Sequence, residues 1–233
     1  MAHENRLSLH EELMLLALND EQGTIDMGSF YLYAIGGSVL AELLMRKRIR
    51  LDTSKKKTVH LVNAKSLGDP LLDECLTRVR EAKKPVAAQT WVTKFAGIKN
   101  LKHQLAMRLC DRGILEADED KILLLFTRRI YPEIDPRPEK EMVERLRAAI
   151  FSEADHLDPR TVVLVSLAHS AGLLPMVFDK KDLKRRKDRI ERVLNGDAMV
   201  QAAKEAIAAA QAALFVACIM PAITTTTITT STR

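Results

Sequence analysis

Between Ser8 and Asp52 the chain changes character twice, and few folds accommodate both changes. The stretch reads SLHEELMLLALNDEQGTIDMGSFYLYAIGGSVLAELLMRKRIRLD. Ser8 with Glu11 three residues on is a capping box, an exchange of side-chain and backbone hydrogen bonds that opens a helix. Leu9, Leu13, Leu16 and Ala17 then recur at helical spacing, and Met14, Leu15 and Leu18 widen the stripe until nearly every side is apolar. A helix of that kind belongs inside a protein. Glu11 and Glu12 are read as capping and exposed residues.

After a break at Asn19–Gly23 a longer helix carries Phe30, Tyr31, Ile35, Val39, Leu40, Leu43 and Leu44. Gly36 and Gly37 sit inside it, where each costs about 1 kcal/mol relative to alanine. That cost points to a backbone, or something else, approaching closely. The chain then turns basic at Arg46, Lys47, Arg48 and Arg50, alternating with Ile49 and Leu51 as a strand with one apolar and one charged face.

Further on, residues 48–62 read as a hairpin around a lysine-rich turn. Asp69 and Pro70 start a helix, and a short helix surrounds Trp91. A longer one runs from Ile98 to Arg112 and stops at Gly113. A second hairpin, GILEADEDKILLLF, is expected to turn at Asp118-Glu119-Asp120. Helices are then expected over 139–151, 159–173, 180–194 and 198–219. The alanine-rich stretch Ala206–Ile223 is read as a buried terminal helix in preference to a membrane span, alanine giving little drive into lipid. The expected fold is mainly α: one helical-bundle domain over 1–223 with two small β-hairpins, then a threonine-rich disordered tail over 224–233.

No phosphate loop, metal-ligand spacing or nucleophile motif is present. Ser166 and His169 are the one pair resembling nucleophile and base, and His169 reads as a core histidine. Cys75, Cys110 and Cys218 lack disulfide or metal spacing. The expectation is therefore no catalysis, no metal and no cofactor. Aromatics make up 4% of 233 residues, too few for stacking bases, and no base-reading helix accompanies the basic hairpin, so nucleic acid is set aside. The net charge of +5 is concentrated in two runs, Arg46–Lys57 and Lys180–Arg189. Each is either a solvated face or a surface for an anionic partner.

Lys99, Lys102 and His103 fall at i, i+3 and i+4 near a helix start. There they are either the wet side of an amphipathic helix or, with the free N–H groups, a receptor for phosphate. The apolar run Ile122–Phe126, followed by Arg128 and Arg129, is either a buried strand or a finger for the membrane interface.

Taken in order, the capped LxLxEExxLLxL helix, D-x-x-G, G-G-x-x-x-x-E-L-x-x-R-x-R-I-x-L-(D/E), LLDECLTRVREAKKPVAAQTWV, LKHQLAMRLCDRGIL, KILLLF and VVLVSLAHSAGLL resemble the Golgi phosphoprotein 3 family over nearly the whole chain. The resemblance implies a peripheral membrane protein, cytoplasmic and at the Golgi if eukaryotic. Its headgroup pocket would bind phosphatidylinositol 4-phosphate, with Lys99 and Lys102 as its two later basic positions. Met27 stands where that pocket has a tryptophan, and Gly36 where it has an arginine. The resemblance also implies membrane contact and self-association through the Ile122–Phe126 hairpin, and capture of protein tails of membrane enzymes; Leu124, Leu125, Phe126, Arg128 and Arg129 are the membrane-contact candidates. Only Met1–Leu7 precede the first helix, so the family's basic coat-binding arm is not expected.

Overall fold

The computed structural model describes residues 6–18, 23–25, 30–122, 126–154 and 157–195. At its centre lies α1 (Leu9–Ala17), every residue of which is buried. It opens with the expected capping box, Glu11 Oε2 accepting from the Ser8 N–H at 2.8 Å and from Ser8 Oγ at 2.9 Å. Against it pack α2 (Phe30–Met45), α5 (Leu101–Asp111), α6 (Arg137–Phe151) and α7 (Pro159–Ser170). The α2 helix also packs along α4 (Ala88–Ala96), and Gly36 explains how: a Cβ there would lie 2.4 Å from the Val92 carbonyl oxygen. The glycine is a helix–helix contact, the close backbone approach that its cost in a helix implied.

The basic segment leaves α2 through Lys47, at positive φ, into β1 (Ile49–Leu51). Ile49 is buried and Arg50 exposed, as the alternation requires. β2 (Thr58–Leu61) pairs antiparallel with β1, Arg50 opposite His60. The expected hairpin gains a third strand, β3 (Val86–Ala87), which joins β2 just before α4. Asp52 holds the turn by accepting from Ser54 Oγ at 2.6 Å and the Thr58 N–H at 2.9 Å. Asp69 caps α3 (Pro70–Arg80) through the Leu72 N–H.

The second hairpin differs from expectation. β4 (Asp118–Ile122) pairs with β5 (Phe126–Ile130), so Asp118-Glu119-Asp120 lie in a strand and form no turn. Glu119 stands opposite Arg129 and Asp120 opposite Arg128, a cross-strand charge pattern that favours this register. The Ile122–Phe126 pair closes the described ladder.

The expected helix over 180–194 is two, α9 (Lys180–Arg185) and α10 (Lys187–Asn195), and a short α8 (Leu174–Val177) follows α7. No helix among the described residues is long and apolar enough to cross a membrane. The helix expected over 198–219 and the threonine-rich tail lie outside the described residues. The described chain is a mainly α bundle carrying two small antiparallel sheets.

Candidate functional site

The anion-receptor residues sit at the start of α5, but not as one helical face. Asn100 is in the left-handed conformation (φ 57°), so the helix begins at Leu101 and Lys99 lies on the turn before it. Lys99 is exposed, while Lys102 and His103 in the first turn are half-buried. No side chain caps this helix start. Gln104 folds back to donate to the Lys99 carbonyl at 3.0 Å, fixing the turn. The His103 Nδ1 is 2.6 Å from the Tyr131 hydroxyl, and Tyr131 is itself buried, its phenol pKa pushed up by desolvation. The His103 ring is therefore a prop between α5 and the segment after β5. The turn of Lys99 and the first turn of α5 remain as the cationic element.

Gly36, assigned to the headgroup site, is buried in the α2–α4 contact and offers no side chain. It is removed from the pocket on packing grounds. Met27 lies outside the described residues, as do Leu124 and Leu125. Arg128 and Arg129, on β5, are exposed.

The basic run after α2 divides. Arg46 Nε donates to Glu42 Oε2 at 3.0 Å, and Glu42 is 1% exposed. Arg46 is thus partly a structural partner. Arg48 is half-buried, its Nε without a hydrogen-bond acceptor. Lys47 and Arg50 are exposed and constitute the cationic surface proper.

The expectation that Glu11 and Glu12 are exposed is overturned: both are buried. Glu11 meets Arg112 at 3.0 Å and Arg108 at 3.4 Å. Arg108 also reaches Asp69 at 3.0 Å, and the buried His10 Nε2 lies 3.2 Å from the same carboxylate. Glu42 meets Arg160 at 2.6 Å and the Leu9 N–H at 2.8 Å. Glu12 is bonded to Arg145 and lies 3.7 Å from Arg160. Burial raises the Glu12 pKa, Arg160 and Arg145 opposing it. For Glu42 burial also pushes up, but Arg160, His10 and the Leu9 N–H outweigh it and the pKa falls. The sequence carried a sign of this cluster, since charges at 10–12 inside a helix apolar on all sides must be buried and paired.

A cleft of about 900 Å³ opens over Glu12, walled by Arg6, Arg112, Arg137 and Arg145. Each arginine already meets a carboxylate: Asp158, Glu11, Asp135 and Glu12 respectively. The cleft is charge-balanced and has no marked preference for an anion.

The Ser166–His169 pair also dissolves. Ser166 Oγ donates to the Val162 carbonyl at 2.9 Å, and His169 is exposed on the last turn of α7, not in the core. Among the described residues no group of histidine, cysteine and acids could hold a metal ion.

Two comparisons bear on this arrangement. The family model described as Golgi phosphoprotein 3 (GPP34) matches residues 9–210. Vacuolar protein sorting-associated protein 74 of Schizosaccharomyces pombe is 26% identical over 221 residues, covering 81% of this chain and 65% of the relative. The chain therefore spans about two-thirds of that relative's length, just short of it. From the capped core helix through α10 and beyond, the match runs over most of the sequence, and the chain belongs to the Golgi phosphoprotein 3 family.

Proposed function

We propose that this chain is a non-enzymatic peripheral membrane protein that binds acidic phospholipid headgroups, phosphatidylinositol 4-phosphate-like in chemistry. The site is the start of α5. Lys99 on its left-handed turn and Lys102 in the first helical turn bring ammonium groups beside backbone N–H groups that no side chain caps, a combination suited to phosphate. That pairing, in a member of the Golgi phosphoprotein 3 family, is the observation that carries the reading.

Lys47 and Arg50 add long-range attraction of about 1 kcal/mol for each basic residue near an anionic surface. Leu124, Leu125 and Phe126, close in sequence to Arg128 and Arg129, are assigned to interfacial contact. The same reading places the protein at the cytoplasmic face of a membrane, that of the Golgi if the cell is eukaryotic. Gly36 leaves no room for an arginine, so discrimination between phosphatidylinositol 4-phosphate and other acidic headgroups is weak.

Flotation with vesicles tests this. Recovery should require phosphatidylserine or phosphatidylinositol 4-phosphate and fall with salt as screening shortens the field. Lys99→Ala with Lys102→Ala should weaken binding roughly thirty-fold, two cations at about 1 kcal/mol each. Equal recovery with neutral and acidic vesicles at every salt concentration overturns the reading.

A second reading is an oligomeric adaptor that collects the tails of membrane-bound enzymes. The name of the fission-yeast relative, a sorting-associated protein, favours it. Its partners should persist in a pull-down from lipid-stripped lysate.

A further inference from the structure

The second basic run, Lys180–Arg189, has no part in the site at α5, and the fold divides it in two. Arg189 is 5% exposed and donates to the carbonyls of Ala149 at 3.1 Å and Ala154 at 2.7 Å. Arg186 reaches Glu153 at 2.8 Å and the Phe151 carbonyl at 3.0 Å. Arg185 pairs with Asp182 at 2.9 Å. Arg186 and Arg189 tie the α9–α10 junction and α10 to the end of α6, while the Arg185 pair stays within α9.

Lys180, Lys184 and Lys187 instead line a groove of about 360 Å³ between the end of α7, α8, α9 and α10. Its walls are apolar, with Leu174, Leu183 and Ile190 facing the space. Its rim carries three lysines against a single carboxylate, Glu191, which lies 3.7 Å from Lys187; His169 also lines it, its pKa lowered by desolvation, and adds no cation to that count. Unlike the balanced cleft over Glu12, this groove pairs an apolar interior with a rim of one predominant sign. Ligand pockets have that composition, apolar walls with a few polar groups that fix orientation.

We propose that the groove binds a single-chain anionic amphiphile, a free fatty carboxylate, with its hydrocarbon chain against Leu174, Leu183 and Ile190 and its carboxylate between Lys180 and Lys184. An apolar cavity of about 150 Å³ takes a benzene ring, so about 360 Å³ takes a chain of roughly a dozen carbons at most. The charge complementarity selects the carboxylate end; the walls select the chain. This site is independent of the one at α5 and stands or falls separately from it.

Calorimetric titration of the full chain with octanoate, decanoate and dodecanoate, each below its micelle-forming concentration, tests the assignment. One saturable site is expected, tightening about two- to four-fold per methylene as the chain is buried. Lys180→Glu with Lys184→Glu should weaken decanoate at least ten-fold and leave decyltrimethylammonium no weaker. Leu183→Gln should weaken both. Lys181→Glu, on the same helix but outside the groove, should change either by less than two-fold. All the lysines exchanged are exposed, so these variants should fold as the parent does. Absence of saturable binding, affinity flat with chain length, or decanoate binding indifferent to Lys180→Glu with Lys184→Glu overturns the proposal. So does a dimer in sedimentation that the same variants dissociate while decanoate fails to bind, because a second copy is then the occupant.

Discussion

Charge is used in opposite ways around α1 and along the segment from Lys47 to Arg50. Around α1, four carboxylates (Glu11, Glu12, Glu42 and Asp69) are buried and meet Arg108, Arg112, Arg145 and Arg160 from three other elements. Along that segment Lys47 and Arg50 are exposed, while Arg48 between them is half-buried. Buried pairs cost desolvation that their attraction only repays with good geometry, so their value lies in fixing which helix sits where. Exposed cations cost little and remain open to an outside anion. A local count of charges does not separate the two uses, because both regions read simply as charged stretches. Burial separates them, and burial is decided by the other helices.

The largest test of this contrast is Arg160→Met. Arg160, 11% exposed, is shared by Glu42 and Glu12 and also donates to the Leu7 carbonyl at 2.7 Å. Removing it leaves buried carboxylates short of a partner, and breaking such an arrangement costs about 3–5 kcal/mol. Urea unfolding should report a loss of that size, with lipid flotation unaltered in whatever fraction stays folded. A loss below about 1 kcal/mol would mean that the cluster is wet and the contrast false.

Acid titration gives the next effect. The Asp69 pKa is about 2: burial pushes it up, but the His10 hydrogen bond and charge, the Leu72 N–H and Arg108 outweigh that. A carboxyl whose pKa is lower folded than unfolded stabilises above its unfolded value, here 3.8, and loses that contribution as pH falls through the folded one. The parent should therefore lose stability on the order of 2 kcal/mol between about pH 4 and pH 2 on this account. Asp69→Asn should be less stable at pH 7 and should approach the parent near pH 2. Parallel curves for the two proteins would remove Asp69 from the acid response.

What the sequence made legible was local. The capping box at Ser8 and Glu11, the Asp69-Pro70 helix start, the alternation through Ile49 and the tight packing implied by Gly36 each depend on a few adjacent residues. The misread hairpin had a competing local signal. The run KILLLF looked like one strand, whereas the partners of Glu119 and Asp120, Arg129 and Arg128, lie beyond it and set the register. The two-residue β3 has no period to detect. At the candidate site the spacing of Lys99 and Lys102 is visible in the sequence, but the helix starts at Leu101, three residues after Ile98, because Asn100 adopts positive φ, which leaves little trace in composition. The charges at 10–12 gave a sign of burial, but their partners Arg108, Arg112, Arg145 and Arg160 were not legible, since they lie far away in sequence; the groove beside α9 is built from residues 169–191, and only the packing of four short neighbouring elements opens it.

Arg46 stands where the two regions meet, and it is the smallest and most discriminating test. It belongs to the basic run by sequence, yet its Nε holds the buried Glu42 at 3.0 Å while the side chain is 41% exposed. Arg160 and the Leu9 N–H also hold that carboxylate, and solvent screens the exposed half of the pair. Arg46→Ala should therefore cost about 1 kcal/mol or less in urea, with vesicle recovery little changed. Arg50→Ala, in an exposed position, should do the reverse: stability within about 0.5 kcal/mol of the parent and vesicle binding weakened roughly five-fold. If both substitutions act alike on stability and on binding, the boundary between structural and surface charge does not run between Glu42 and Arg50.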